Sequence, residues 1–209
     1  MTAALANTAC TRTVNEVSPE ENLPGYLKIT SSGAAKFLYI GSAIQWNKDY
    51  AISAAHIPML SSVVHHCSTG CDLVFIRHDA NGTLPTWRKA IAGEPVKTVG
   101  QAPLFRTVQG KGTSKLQRIR IKSRHDRTVY ALSDAPIVEG MSGGPVYGED
   151  AAIIGMIVGT YVSPIPPRPN SNTLTVYVPY EIIRHEWDIF YHTIKDKKDG
   201  KKLKTDNLP

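Results

Sequence analysis

Apolar positions along this chain recur at period two, in short runs separated by glycine, proline and polar residues. The pattern predicts strands at 26–30, 35–46, 50–54, 73–77 and 87–92, and again at 104–108, 115–122, 129–132, 145–147, 153–161 and 174–178. Residues 100–103 read as the crossing between the two groups, and residues 1–24 as a loosely ordered arm ending at Pro24-Gly25. Only near the end does the period change. Across 181–194 the apolar positions Ile182, Ile183, Trp187 and Phe190 fall at helical spacing and predict one helix. Strands with scattered turn residues, no internal repeat and one late helix make this an all-β chain.

Length bounds the architecture: 209 residues suit one or two compact domains. No apolar run approaches the ~20 residues that span a bilayer. The N-terminus lacks a basic start and an apolar stretch long enough for a secretory leader, which points to a cytoplasmic protein or a processed fragment. The three cysteines, Cys10, Cys67 and Cys71, are an odd number poorly suited to a disulfide scaffold, and a reducing compartment is the simpler reading.

Candidate chemistry sits in three short segments. Gly140-Met141-Ser142-Gly143-Gly144-Pro145 places a serine among glycines that let the backbone turn sharply, so that the amides of Gly140 and Ser142 can point at one developing negative charge. Upstream, the apolar run Tyr50-Ala51-Ile52-Ser53-Ala54-Ala55 ends in His56. Between them, Cys71-Asp72-Leu73-Val74-Phe75-Ile76 sets a carboxylate at the mouth of another apolar run. Asp79, beyond that run, is the alternative carboxylate.

In the order His56, Asp72, Ser142, these segments resemble the chymotrypsin-like serine proteases, in local motifs most closely the HtrA-like and the viral or phage branches. Asp134-Ala135-Pro136-Ile137-Val138-Glu139-Gly140-Met141-Ser142 is similar to the HtrA run Asp-Ala-x-Ile-x-x-Gly-x-Ser. The resemblance implies two antiparallel six-stranded β-barrels followed by a C-terminal helix. It assigns 25–100 to the first barrel, with His56 and Asp72, and 101–194 to the second, with Ser142 and the helix. Only 16 positions separate His56 from Asp72, so the first barrel is expected to be trimmed at 59–69, as in compact viral relatives. Gly41 and Ser42 match the tight turn that precedes the histidine strand in the family.

The implied activity is hydrolysis of peptide bonds in a protein or polyprotein, with no metal or cofactor. His56 would act as general base, Asp72 as its orienting partner and Ser142 as nucleophile, with Gly140 and Ser142 amides as the oxyanion hole. The implied specificity pocket involves Pro136, Glu139, Val158, Gly159 and Thr160. Pro136 stands where trypsin-like relatives carry an acidic pocket base, so a small-to-medium apolar P1 residue is expected. Asp134 matches an HtrA-type aspartate that braces the loop. Ile57 replaces the cysteine that follows the histidine in secreted relatives, which removes that disulfide.

Two segments stand outside this scheme. His65-His66-Cys67-Ser68-Thr69-Gly70-Cys71 reads as a surface loop with incidental thiols, with a zinc site or a local Cys67–Cys71 disulfide as alternatives. Arg118, Arg120, Lys122 and Arg124 alternate with isoleucines and put basic side chains on one strand face. An exposed barrel face explains them, as does a surface for nucleic acid or an acidic partner. The latter underlies a second functional expectation, a catalytically impaired protease fold kept as a binding module. The six lysines of 195–209 read as a flexible tail.

Overall fold

A computed structural model describes residues 13–31, 39–121, 127–162 and 173–205, with side chains to residue 196. Its strands are β1 (Asn15–Glu16), β2 (Tyr26–Thr30), β3 (Ile40–Gln45), β4 (Tyr50–Ser53), β5 (Val63–His66), β6 (Val74–Arg77), β7 (Pro95–Ala102), β8 (Arg106–Ile119), β9 (Tyr130–Ser133), β10 (Pro145–Tyr147), β11 (Ile153–Val162) and β12 (Thr173–Pro179). One helix, α1 (Tyr180–Thr205), follows β12 directly. Among the described residues, no helix is long and apolar enough to cross a membrane.

The first five-stranded sheet has the order β2-β3-β4-β6-β5, all antiparallel. β4 is buried on both faces. Tyr50 and Ile52 enter one apolar cluster, while Ala51 packs with Ala43, Val74 and Ile76 in another, so the run is continuous rather than alternating. The Asn47 side chain shapes the β3–β4 turn by accepting hydrogen bonds from the amides of Asp49 and Tyr50, at 3.0 and 3.1 Å. The expected trimming takes the form of an open sheet: no pairing among the described residues joins β2 to β5.

The second sheet runs β1-β8-β7-β10-β11-β12-β9, and an additional β8–β9 pairing closes six of these strands into an antiparallel barrel. The 14-residue β8 makes closure possible. Its first half pairs with β7, and from Ser114 onward it pairs with β9, with a register shift between Ser114 and Arg118.

Several expected boundaries shift. The chain changes sheets over 78–94, not at 100–103, and β7 is therefore the first strand of the second barrel. Gly100 reads as a linker residue, but it lies inside β7 because an added Cβ would come within 2.6 Å of Met141 Cα. The predicted strand 87–92 is reduced to one bridge between Trp87 and Ile153, and 104–108 and 115–122 merge into β8. Gly41 and Ser42 lie within β3 rather than in a tight turn, with Ile57 packed over Gly41. The N-terminal arm is tied down where it is described. β1 pairs with β8, Val17 is buried, and Glu21 binds Lys97 Nζ at 2.5 Å. The backbone of the lysine-rich tail stays helical to Thr205, continuing a helix already anchored upstream.

α1 joins the two lobes. It leaves the second barrel, buries Ile183 in the core cluster that includes residues of both lobes, and lays Trp187 and Phe190 on the first sheet. Trp187 meets Phe75 at 5.6 Å between ring centroids, and Phe190 meets Tyr50 edge-on at 5.5 Å.

Candidate active site

β4 delivers His56 to the seam between the lobes. The strand ends at Ser53, and Ala54-Ala55 leads into a turn where the imidazole is 40% exposed while its partner carboxylate, on Asp72, is only 1% exposed. Asp72 divides its two oxygens. Oδ1 accepts the His56 backbone amide at 2.9 Å, and Oδ2 lies 2.6 Å from His56 Nδ1. A carboxylate can only accept here, so Nδ1 carries the proton and Nε2 is left as the basic nitrogen. Asp79, by contrast, lies exposed beyond β6. The Asp72 backbone amide donates to the hydroxyl of Tyr130, a fully buried residue of β9, at 3.2 Å.

The approach to Asp72 departs from the sequence reading. Cys67 and Cys71 form a disulfide, with Cα atoms 5.4 Å apart. Their sulfurs are bonded to each other, so neither is an incidental thiol or a zinc ligand. With two of three cysteines paired, the odd count no longer argues for a reducing compartment.

Ser142, half-buried, stands on a loop sewn to both lobes. Its carbonyl accepts the Ser42 amide of β3 at 2.9 Å, and the next amide, of Gly143, donates to Ile157 of β11 at 2.8 Å. Gly143 has φ +83, and an added Cβ would fall 2.0 Å from the Ser42 carbonyl oxygen, so only glycine fits beneath the serine. Ser42 extends the link. Its hydroxyl donates to Gly140 O at 3.2 Å and accepts the Gln101 amide at 2.9 Å, while its carbonyl accepts Ser53 Oγ at 2.8 Å. The serine loop is thus coupled to β4 three residues before His56.

Two amides of this loop are left over. Among the described residues, those of Gly140 and Ser142 donate to no protein acceptor, whereas Met141, Gly143 and Gly144 all do. His56 Nε2 and Ser142 Oγ are not hydrogen-bonded to each other. In unliganded sites such bonds are often long and close on substrate binding.

The expected pocket residues occupy different settings. Val158 is buried on β11 at a bulge between Ile157 and Gly159, and Gly159 and Thr160 follow with increasing exposure. The Pro136 carbonyl accepts Thr98 Oγ1 at 2.8 Å, facing the barrel. Glu139 is exposed and borders a groove of about 330 Å³ with Val14, Ala102, Pro103 and Val138, apart from the β11 residues. Asp134 is engaged by β8: its carboxylate accepts the Thr113 amide at 2.6 Å and pairs with Lys115.

Of the basic stripe, Lys122 and Arg124 lie outside the described residues. Ile119 and Ile121 pack on the core and Arg120 is exposed, as alternation requires. Arg118 lies 3.6 Å from Glu181 of α1, so part of the stripe is matched within the molecule. Ser42, Ser53 and Tyr130 hold the candidate residues and their loops through partners that no local motif announces. Each acts through residues distant in sequence.

Fold and site geometry together define the class: the chain has the chymotrypsin-like serine protease fold. Solved structures agree. The serine endoprotease from Yersinia pestis matches with a TM-score of 0.59 at 16% identity, over 80% of this chain and 63% of that one. The chain therefore spans less than two thirds of that protein. The Rv3671c protease in an inactive form matches with a TM-score of 0.60 at 14% identity, over 80% of this chain and 89% of that one. No protein-family model and no curated protein sequence matches.

Proposed function

We propose that the protein is a serine endopeptidase in which His56, Asp72 and Ser142 form the catalytic triad. The observation that carries this is the His56–Asp72 pair, in which a buried carboxylate holds both the backbone and the ring of an exposed histidine. His56 Nε2 takes the Ser142 proton as Oγ attacks the peptide carbonyl, and returns it to the leaving amine. Asp72 fixes the tautomer and stabilises the imidazolium. The unclaimed amides of Gly140 and Ser142 receive the oxyanion, each donor worth about 3–4 kcal/mol of barrier in comparable enzymes.

The preferred P1 residue is small to medium and apolar. Asp134, two positions before the expected pocket base Pro136, is held by Thr113 and Lys115 and does not select a basic side chain. Substrates are protein or polyprotein chains. The short interval between His56 and Asp72 accords with a compact viral or phage processing enzyme.

A phosphonate serine probe tests the activity. The folded protein should be labelled and Ser142→Ala should not. No labelling, or labelling that survives Ser142→Ala, would overturn the reading. A peptide-library cleavage profile then reads P1, and dominant cleavage after Arg or Lys would refute the apolar pocket.

A further inference from the structure

The inner face of α1 is apolar at Ile183 and Phe190, yet between them stands Glu186, 1% exposed. A buried carboxylate persists only where donors match it. Here all the donors come from one place, the segment leading to Asp72. Glu186 Oε2 accepts the Ser68 amide at 2.7 Å and lies 3.3 Å from His65 Nε2, and Oε1 accepts Ser68 Oγ at 2.8 Å. One turn further along the helix, Phe190 stacks on the His65 ring at 5.1 Å.

That segment has little other support on this side. β5 ends at His66 and β6 begins at Val74. Between them the chain is closed by the Cys67–Cys71 disulfide and by the Cys67 amide donating to Leu73 O at 3.0 Å. On the opposite side, Thr69 meets Thr128 at 3.1 Å and the Asp72 amide meets Tyr130. The loop is therefore held between β9 and the helix, and Glu186 is the helix's entire polar grip on it among the described residues. A carboxylate that orients a general base must be held to a fraction of an ångström.

We propose that Glu186 is a positioning residue for the His56–Asp72 pair: from the C-terminal helix it fixes the loop that sets where the Asp72 carboxylate stands. The proposal rests on the protease reading, but its test does not depend on turnover alone.

Glu186→Met keeps the volume and removes the acceptors, whereas Glu186→Gln keeps an acceptor for the Ser68 amide. Ser68→Ala, the mildest change, removes one donor of three. In each folded variant the downfield proton resonance of the His56 Nδ1–H to Asp72 hydrogen bond is recorded beside peptide cleavage. Glu186→Met should shift or broaden that resonance and lower kcat about tenfold or more with KM little changed. Ser68→Ala should move the resonance in the same direction by less, and Glu186→Gln should largely restore both readouts. If Glu186→Met does not fold, Ser68→Ala and Glu186→Gln carry the comparison. An unmoved His56 resonance in folded Glu186→Met, or in Ser68→Ala where the methionine variant does not fold, overturns the proposal. Should the native protein neither take the serine probe nor cleave peptides, the protease reading fails, and the resonance alone still decides the role of Glu186.

Discussion

Ser42 does more at the seam than its ordinary residue type suggests. It is fully buried, and its hydroxyl joins the Gly140 carbonyl to the Gln101 amide while its own amide holds the Ser142 carbonyl. Ser42→Ala strands the half-buried Gly140 carbonyl and the buried Gln101 amide, at about 1–3 kcal/mol for an unsatisfied buried group. We expect a lower urea midpoint with an unchanged slope, together with slower acylation by the serine probe. Ser142→Ala should abolish acylation with little change in midpoint, and comparing the two separates holding the loop from doing the chemistry. His56 and Ser142 are readable because their neighbours are constrained: small residues before the histidine, and glycines where no side chain fits under the serine. Ser42 and Glu186 are not readable, because their partners lie 98 and 118 positions away. Asp72 falls between these cases. Its place before an apolar run marks it, with Asp79 as the alternative, but the short interval after His56 is unusual for the family, and a disulfide is only one of three readings of the loop that spans it.

At the scale of elements, the connection over 78–94 shows how an apolar pattern can mislead. Trp87, Ala90, Ile91 and Ala92 suggest a strand, but the geometry there is set by Arg88. Its guanidinium binds Glu94 at 2.6 Å and Asp150, at the β10–β11 turn, at 2.8 Å. Hydrogen bonds from Arg88 lower the Asp150 pKa from 3.8 to about 2. Burial alone would raise Glu94, but the hydrogen bonds from Arg88 and the Ile91 amide leave it lowered. A carboxylate whose folded-state pKa is depressed contributes stability that is complete above its unfolded pKa and is lost as pH falls through the folded value. Stability should therefore decline between about pH 4 and pH 2, and Arg88→Met should flatten that acid limb in denaturation midpoints measured across pH. Asp150 is 57% exposed, so salt should weaken the effect. An acid limb identical in Arg88→Met would refute this account.

For the whole molecule, the decisive arrangement is that the two lobes supply different parts of the proposed triad and a single helix packs on both. The first sheet carries His56 and Asp72, the second carries Ser142, and α1 crosses from the second to the first. Phe190 is central to that contact, packing on Tyr50, Phe75, His65 and Trp187. Phe190→Ala should cost about 3–5 kcal/mol, as large-to-small core substitutions do. It should also lower kcat in the protein that remains folded, because the lobes lose part of their registration. Unchanged stability in a urea melt would refute that role for the helix. This level was legible in outline: the motif order implied the two-lobed fold, and helical spacing located α1. The sheet to which β7 belongs was not, because its glycine serves packing rather than a turn.

The short β1 has a consequence for colloidal behaviour. The first half of β8 pairs with β7 on one side and would otherwise present a bare ladder on the other, since β9 engages only from Ser114 onward. β1 covers the start of that edge, pairing Asn15 and Glu16 with Gln109 and Val108, and the Val17 amide adds a bond to Thr107 O at 2.9 Å. Open ladders recruit strands from other chains. A few residues of the N-terminal arm thus cover part of an edge that would otherwise invite strands from other chains, and cutting the arm before Val17 should raise light scattering in concentrated solution.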